Sequence, residues 1–310
     1  GQTLVFKETM KFHFSRYHIS GKEKAVERLL EIIPGALSWS ILIGVTLISF
    51  YKPLLGAVII IAFDLYWILR FFYMNIFLVL SYIMLSVETG VDWLGRIKTI
   101  QTPQDPATRF SELNQNLSFK KILSFYIHQK RLQKLKESGA EIPCVDDIHH
   151  VVIIPIAKEP QEVVEPGIAS IAKGKFPTKK IVVLMAVEER APEKIKNDAY
   201  TIQKKYHDSF LDLLVVIHPT DLPDEARVKG ANATYAAKVA ERYFQEKKIP
   251  YENIICSCFD ADTVVPEDYF GCLTYTYITT PNRTQASFQP IPVYHNNIWD
   301  APGFARVIDI

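Results

Sequence analysis

His150-Val151-Val152-Ile153-Ile154-Pro155-Ile156-Ala157-Lys158-Glu159 is the stretch on which the fold turns. Its apolar centre, Val151 to Ile156, is the length of a strand and carries no charge, which predicts a buried strand. Downstream the pattern alternates. Gln161 to Lys173 predicts a helix, Lys180 to Val187 a strand, and Pro192 opens a helix that runs to about Tyr206. Asp212 to Ile217 predicts a third strand, Ala231 to Lys247 a helix, and Asn253 to Phe259 a fourth strand. Strand and helix in alternation predict an α/β domain, a mostly parallel sheet wrapped by helices. In such sheets ligands bind beyond the carboxyl ends of the strands. The polar residues at those ends are Lys158 and Glu159, Glu188 and Glu189, His218, and Asp260 with Asp262.

The last pair carries the most chemistry. In Asp260-Ala261-Asp262, side chains two apart on an extended chain point the same way, so the carboxylates are expected to converge where the strand ends. Two carboxylates that close repel each other. A hard divalent cation with phosphate oxygens as further ligands lets both stay ionised. The plainer alternative is a solvated acidic loop. Cys256 and Cys258 share a strand face but lack a second cysteine pair at metal-ligand spacing, so they are read as buried thiols, and four cysteines fit a reducing compartment. His149, His150 and His295 belong to no recognisable catalytic pattern.

Upstream of the alternating region the chain changes character. In 310 residues, 48% hydrophobic with net charge +1, there is no acidic or basic excess of the kind that points to nucleic acid. The apolar residues are concentrated near the start. Ile32 to Tyr51 contains no charged side chain, and between Lys52 and Glu88 only Asp64 and Arg70 interrupt a second apolar tract. At about 1.5 Å per residue the first tract matches a hydrocarbon core ~30 Å thick. The second is too long for one perpendicular span. Residues 53–69 are expected to return across the bilayer and leave it at the cluster Tyr66, Trp67, Arg70, Phe71, Phe72 and Tyr73, with Ile76 to Val87 along the interface. A third span, Phe71 to Val87, is the competing reading.

Orientation follows from basic residues. Lys7, Lys11, Arg16, Lys22, Lys24 and Arg28 precede the first span, and Arg70, Arg96 and Lys98 follow the second, against a lone Lys52 between them. Both flanks are therefore expected in the cytoplasm, with the protein multi-pass in the cell (inner) membrane. The resulting division is a basic cytoplasmic arm (1–31), a membrane region (32–87), an amphipathic connecting region (88–147) and an α/β domain (148–310). In the connecting region Phe110, Leu113, Leu117, Ile122, Phe125 and Tyr126 predict an amphipathic helix, continued by Lys130, Arg131, Lys134 and Lys136. That basic run is read as a solvated face, with an anionic leaflet as the alternative.

From His150 onward the chain resembles a family. Ile153-Ile154-Pro155-Ile156-Ala157-Lys158-Glu159 looks like the opening strand of family 2 glycosyltransferases of the GT-A fold, and Asp260-Ala261-Asp262 stands where that family carries its metal-binding Asp-X-Asp. Lys229 and Asn232 resemble its Lys-X-X-Asn. Ser287-Phe288-Gln289-Pro290-Ile291-Pro292 and Asn296-Asn297 resemble the Gln-X-Pro and Asn pattern of the membrane-anchored, cellulose-synthase-like branch.

The resemblance implies inverting transfer of a sugar from a UDP- or GDP-sugar to the hydroxyl of a lipid or glycan acceptor. Asp260 and Asp262 would hold Mg²⁺ or Mn²⁺ against the diphosphate. Pro155, Glu159, Glu188, Lys229, Asn232 and Asp260 would line the donor side, and Gln289 the acceptor side. Glu188-Glu189 departs from the Asp-Asp usual in the family, which leaves the base preference open. The family's catalytic base lies well beyond the Gln-X-Pro segment, so it is expected past Ile310, and Asp300 and Asp309 fit no base motif. The chain is thus read as a fragment that binds a donor without transferring sugar. Two other classes remain: a membrane-tethered binding or scaffold module on a degenerate glycosyltransferase fold, and a nucleotidyltransferase.

Overall fold

The computed structural model describes residues 21–101, 118–220, 222, 228–291 and 302. The chain forms two compact units, divided between Met84 and Leu85. In the first, helix α1 (Gly21–Tyr51) and helix α2 (Pro53–Glu88) are joined at Lys52. Pro53 supplies no amide donor, and the chain reverses there. A Cβ added at Gly56 would lie 2.9 Å from the Ser49 Cα, an approach that seven residues of continuous helix do not permit. α1 starts before the uncharged tract and takes in Lys22, Lys24 and Arg28, so part of the expected arm is helical. Both helices are long and apolar enough to cross a membrane.

α2 shows no break near Leu69. Its 36 residues form one helix, about 54 Å long, through the Arg70–Tyr73 cluster and on to Glu88, where a separate interfacial segment was expected. Ile76 to Val87 holds no Gly or Pro to stop it.

The second unit holds a four-stranded, all-parallel sheet of order β3-β2-β1-β4. Its strands are β1 (His149–Ile156), β2 (Ile181–Glu188), β3 (Asp212–His218) and β4 (Ile254–Cys258). The central pair is apolar from Val151 to Ile156 and from Ile181 to Val187 because both faces are covered there. On one face Val152, Ile154, Ile156, Val183, Met185 and Val187 meet α5 (Gln161–Ala172) and α6 (Glu193–Tyr206) through Val164, Ile168, Ile195 and Ile202. On the other, Val151, Ile153, Val182, Leu184 and Ala186 meet Ala236, Ala240 and Phe244 of α7 (Lys229–Glu246). Each Val, Leu, Ile, Met or Phe among these contributes about 1.5–3 kcal/mol on burial.

β4 is an edge strand, and α7 leaves its outer end uncovered. Ile255 and Ser257 are buried, whereas Cys256 and Cys258 on the opposite face are exposed. The expectation of buried thiols is corrected here: the burial of a strand face depends on the helix above it, and the helix lies over β1 and β2.

Three further helices complete this unit: α3 (Trp93–Gln101), α4 (Phe119–Ser138) and α8 (Tyr269–Ile278). α3 and α8 enclose a third apolar cluster with Ile148 and Ile255 at the starts of β1 and β4. The predicted helix beginning near Phe110 falls partly on 102–117, outside the described residues, and is described from Phe119. His150 is fully buried, with Nε2 2.8 Å from the Thr274 hydroxyl and the rings of Phe176 and Phe270 edge-on to it. It is a core residue.

Candidate functional site at the carboxyl edge of the sheet

Because all four strands are parallel, their carboxyl ends lie on one edge. The loops there are built by different local devices. After β1 the Glu159 carboxylate turns back and accepts the backbone N–H of Ala157 at 2.8 Å and of Lys158 at 3.0 Å. Partial burial pushes this carboxyl up, but those two N–H groups and its own outweigh burial and hold it below its usual value. Glu159 thus organises its own loop while remaining ionised. Pro155, buried in the middle of the sheet, lacks a ladder donor. It faces the side on which β4 has already ended, since Phe259 N–H bonds the Ile153 carbonyl at 2.9 Å and no β4 residue pairs beyond it.

After β2 the two glutamates diverge. Glu188 forms an ion pair with Arg190. Glu189 accepts the Thr220 N–H at 2.8 Å and its hydroxyl at 3.0 Å, tying the β2 loop to the β3 loop. His218 at the end of β3 stacks at 4.9 Å on Tyr235 of α7. The cross-loop role of Glu189 carries no sequence signal, because its partner lies in a loop of different chain position.

The end of β4 is where predicted residues come together. The Lys229 ammonium, at the first position of α7, contacts the Asp260 carboxylate, and both side chains remain more than half exposed. One turn on, Asn232 is buried, and its amide nitrogen donates to the Ala186 carbonyl of β2 at 2.7 Å. Its Oδ1 is buried without a hydrogen-bond partner. Lys229 and Asn232 therefore share a helix face that spans from the sheet interior to Asp260.

Asp260 and Asp262 are not on extended chain. β4 stops at Cys258, and Thr263 N–H bonds the Asp260 carbonyl at 3.0 Å, so the triplet forms a turn. The convergence argument, which assumed a continuing strand, does not hold, although both carboxylates are exposed on the same short loop. That loop is seated on α5. A Cβ on Gly167 would come within 2.6 Å of the Thr263 carbonyl, and the Ser170 hydroxyl accepts the Val265 N–H at 3.1 Å. Gly167 allows this close approach, a role that a lone helical glycine in sequence only hints at.

Gln289 is not gathered with these residues. It is exposed next to Phe288, which packs in the cluster of Ile148, Ile255 and Tyr277, at the amino ends of β1 and β4. Asp300 and Asp309 lie outside the described residues.

No group of three or more His, Cys, Asp or Glu side chains that would cage a metal occurs among the described residues. Asp260 and Asp262 are two exposed carboxylates on one turn. Mg²⁺ is commonly held by one or two carboxylates with waters and substrate phosphates making up the octahedron, and Lys229 already places one positive charge against Asp260.

No protein-family model matches the chain. No curated protein matches it either. Among solved structures it is similar to a crystal structure of S. aureus TarS, residues 1–349, at 17% identity and a TM-score of 0.29, over 42% of this chain and 32% of that one. The chain thus spans about a third of that structure's length, and the overlap carries no argument about its chemistry.

Proposed function

We propose that this chain is part of a membrane-anchored, metal-dependent inverting glycosyltransferase, using a UDP- or GDP-sugar as donor and a lipid or glycan hydroxyl as acceptor. One observation carries the reading. Lys229 and Asn232 on α7 and Asp260 beyond β4 meet at the carboxyl edge of a parallel sheet, where such folds bind ligands. In this reading the Lys229 ammonium releases Asp260 and turns to a phosphate, while Asp260 and Asp262 hold Mg²⁺ or Mn²⁺. The cation supplies charge stabilisation for the departing nucleoside diphosphate. Glu159 keeps the β1 loop in shape beside the nucleoside, with Pro155 setting its approach and Glu188 facing the ribose or base. Anchoring by α1 and α2, with the sheet on the cytoplasmic side of the cell membrane, is supported by the basic residues that flank them.

Calorimetry on the whole chain in nanodiscs tests this. UDP or GDP is expected to bind with Mg²⁺ or Mn²⁺ and to lose affinity in EDTA, and Asp262→Asn is expected to weaken binding about tenfold, roughly 1.4 kcal/mol. Equal affinity with and without metal would overturn the metal assignment. No binding of either nucleotide would overturn the donor site.

A further inference from the structure

The inward face of α4 mixes polar and apolar groups: Ser124, His128 and Leu135 are buried, the Ser124 hydroxyl accepts from Arg96 at 2.7 Å, and His128 Nδ1 lies 2.6 Å from the Tyr275 hydroxyl. Arg131, from the basic run, also turns inward, 3.8 Å from Glu88 and with its guanidinium 5.7 Å from the Tyr275 ring centroid. The outward face of the first two turns is apolar. Phe119, Ile122 and Tyr126 are 74%, 51% and 57% exposed, and their i, i+3, i+7 spacing places them in one stripe.

Exposed lysines adjoin that stripe. Lys130 and Lys134 continue its side on the next turns, while Lys120 and Lys121, exposed at the helix start, lie further round toward the line of Ser124 and His128. The Lys130 ammonium sits 5.8 Å from the Tyr126 ring centroid. The only acid in the helix is Glu137, near its far end. A solvated face would carry mixed charges and no aromatic ridge. A protein-binding face would be depleted of lysine. Aromatic rings beside lysines, with Glu137 as the one carboxylate of the helix, match the headgroup level of an anionic leaflet, where rings enter the acyl boundary and ammonium groups reach lipid phosphates.

We propose that α4 docks on an anionic lipid surface, with Phe119, Ile122 and Tyr126 inserted and Lys130 and Lys134 against the phosphates. The occupant follows from this charge complementarity, in a chain whose α1 and α2 are long and apolar enough to cross a bilayer. The surface is separate from the carboxyl edge of the sheet, and the inference is independent of the sugar-transfer reading.

Photo-crosslinking of the whole chain in nanodiscs tests it. A benzophenone-bearing residue replaces Phe119 or Tyr126, with exposed Tyr200 of α6 as the control position. In phosphatidylcholine with about one-third phosphatidylglycerol, lipid adducts are expected at 119 and 126 and not at 200. Their yield is expected to fall at least about fivefold in phosphatidylcholine alone, and likewise with Lys130→Glu and Lys134→Glu combined. Adducts at 119 and 126 to this chain or to a second copy would overturn the proposal. So would equal lipid adducts at 200, no adducts at 119 and 126, or a yield indifferent to lipid charge.

Discussion

The interior of β2 and the surface of α1 and α2 are made from the same side chains and treat them in opposite ways. Leu184 in β2 has no exposed surface, while Leu54 at the start of α2 is 81% exposed and Phe50 at the end of α1 is 79% exposed. In β2, layers of helix on both faces remove the apolar groups from water, and the strand reads as an unbroken hydrophobic run. In α1 and α2 the backbone hydrogen bonds are satisfied within each helix, and the side chains point outward. That arrangement suits surroundings that are themselves apolar. Apolar content alone therefore does not identify a core. The sequence must be asked what could cover each run.

The largest effects separate the two regions most directly. Leu184→Asp would place a carboxylate in the sheet interior with no partner, at a cost of about 4 kcal/mol or more. Loss of hydrogen-exchange protection across β1 and β2 is the expected result. Leu47→Asp in α1 should leave that protection unchanged while costing about 2.5–3.5 kcal/mol in membrane insertion, read by a glycosylation-tag insertion assay. If Leu47→Asp melts β1 and β2 instead, α1 is a core helix and the contrast collapses.

The next effect belongs to the covered side. Gly167→Val would drive a side chain into the Thr263 carbonyl and is expected to cost up to about 3 kcal/mol in the sheet unit. Protease cleavage after the Asp260–Thr263 turn should rise in this variant, whereas Gly230→Ala, which meets no neighbour, should leave it unchanged.

A buried polar group sharpens the comparison through pH. Burial lowers the His150 pKa from 6.5 to about 3, with a smaller contribution from His149. Protonation therefore favours the unfolded chain. The stability due to neutral His150 is complete above pH 6.5 and is lost progressively as pH falls from 6.5 toward 3. The slope is about 1.4 kcal/mol per pH unit, or roughly 2 kcal/mol by pH 5. Denaturation of the sheet unit at pH 7 and pH 5 should show this difference, and His150→Met should remove it. The smallest effect is at the surface. Lys229→Ala breaks an exposed ion pair and is expected to change stability by less than about 1 kcal/mol. Nucleotide affinity, in contrast, should fall if Lys229 meets phosphate.

The four strands were legible from sequence because buried parallel strands are written as apolar runs, and the helices between them kept their period. Strand ends were not. Phe259 extends the pattern of β4, yet the turn closed by Thr263 takes Asp260 and Asp262 off the strand, and no periodicity announces a turn made by backbone bonds. The exposure of Cys256 and Cys258 depends on β4 standing at the sheet edge, which is a property of strand order. The uninterrupted course of α2 was hidden for the opposite reason, since a uniformly apolar tract holds no boundary to read. Lys229, Asn232 and Asp260 stand out in sequence only as a motif, while Gly167, Ser170 and Glu189, which shape the loops around them, act through contacts between distant segments.

The position of β1 between β2 and β4 has a consequence for biogenesis. Its partner on one side follows after a single helix, but His149 pairs with Ile254, roughly 100 residues further along. At about 5–20 residues per second, translation leaves that flank of β1 without its neighbour for on the order of 5–20 s. During that interval α1 and α2 have long since left the ribosome, and a nascent sheet of three strands waits with an open, strongly apolar border. Chaperone occupancy of stalled nascent chains ending before and after Ile254 should therefore drop once β4 has emerged and closed it.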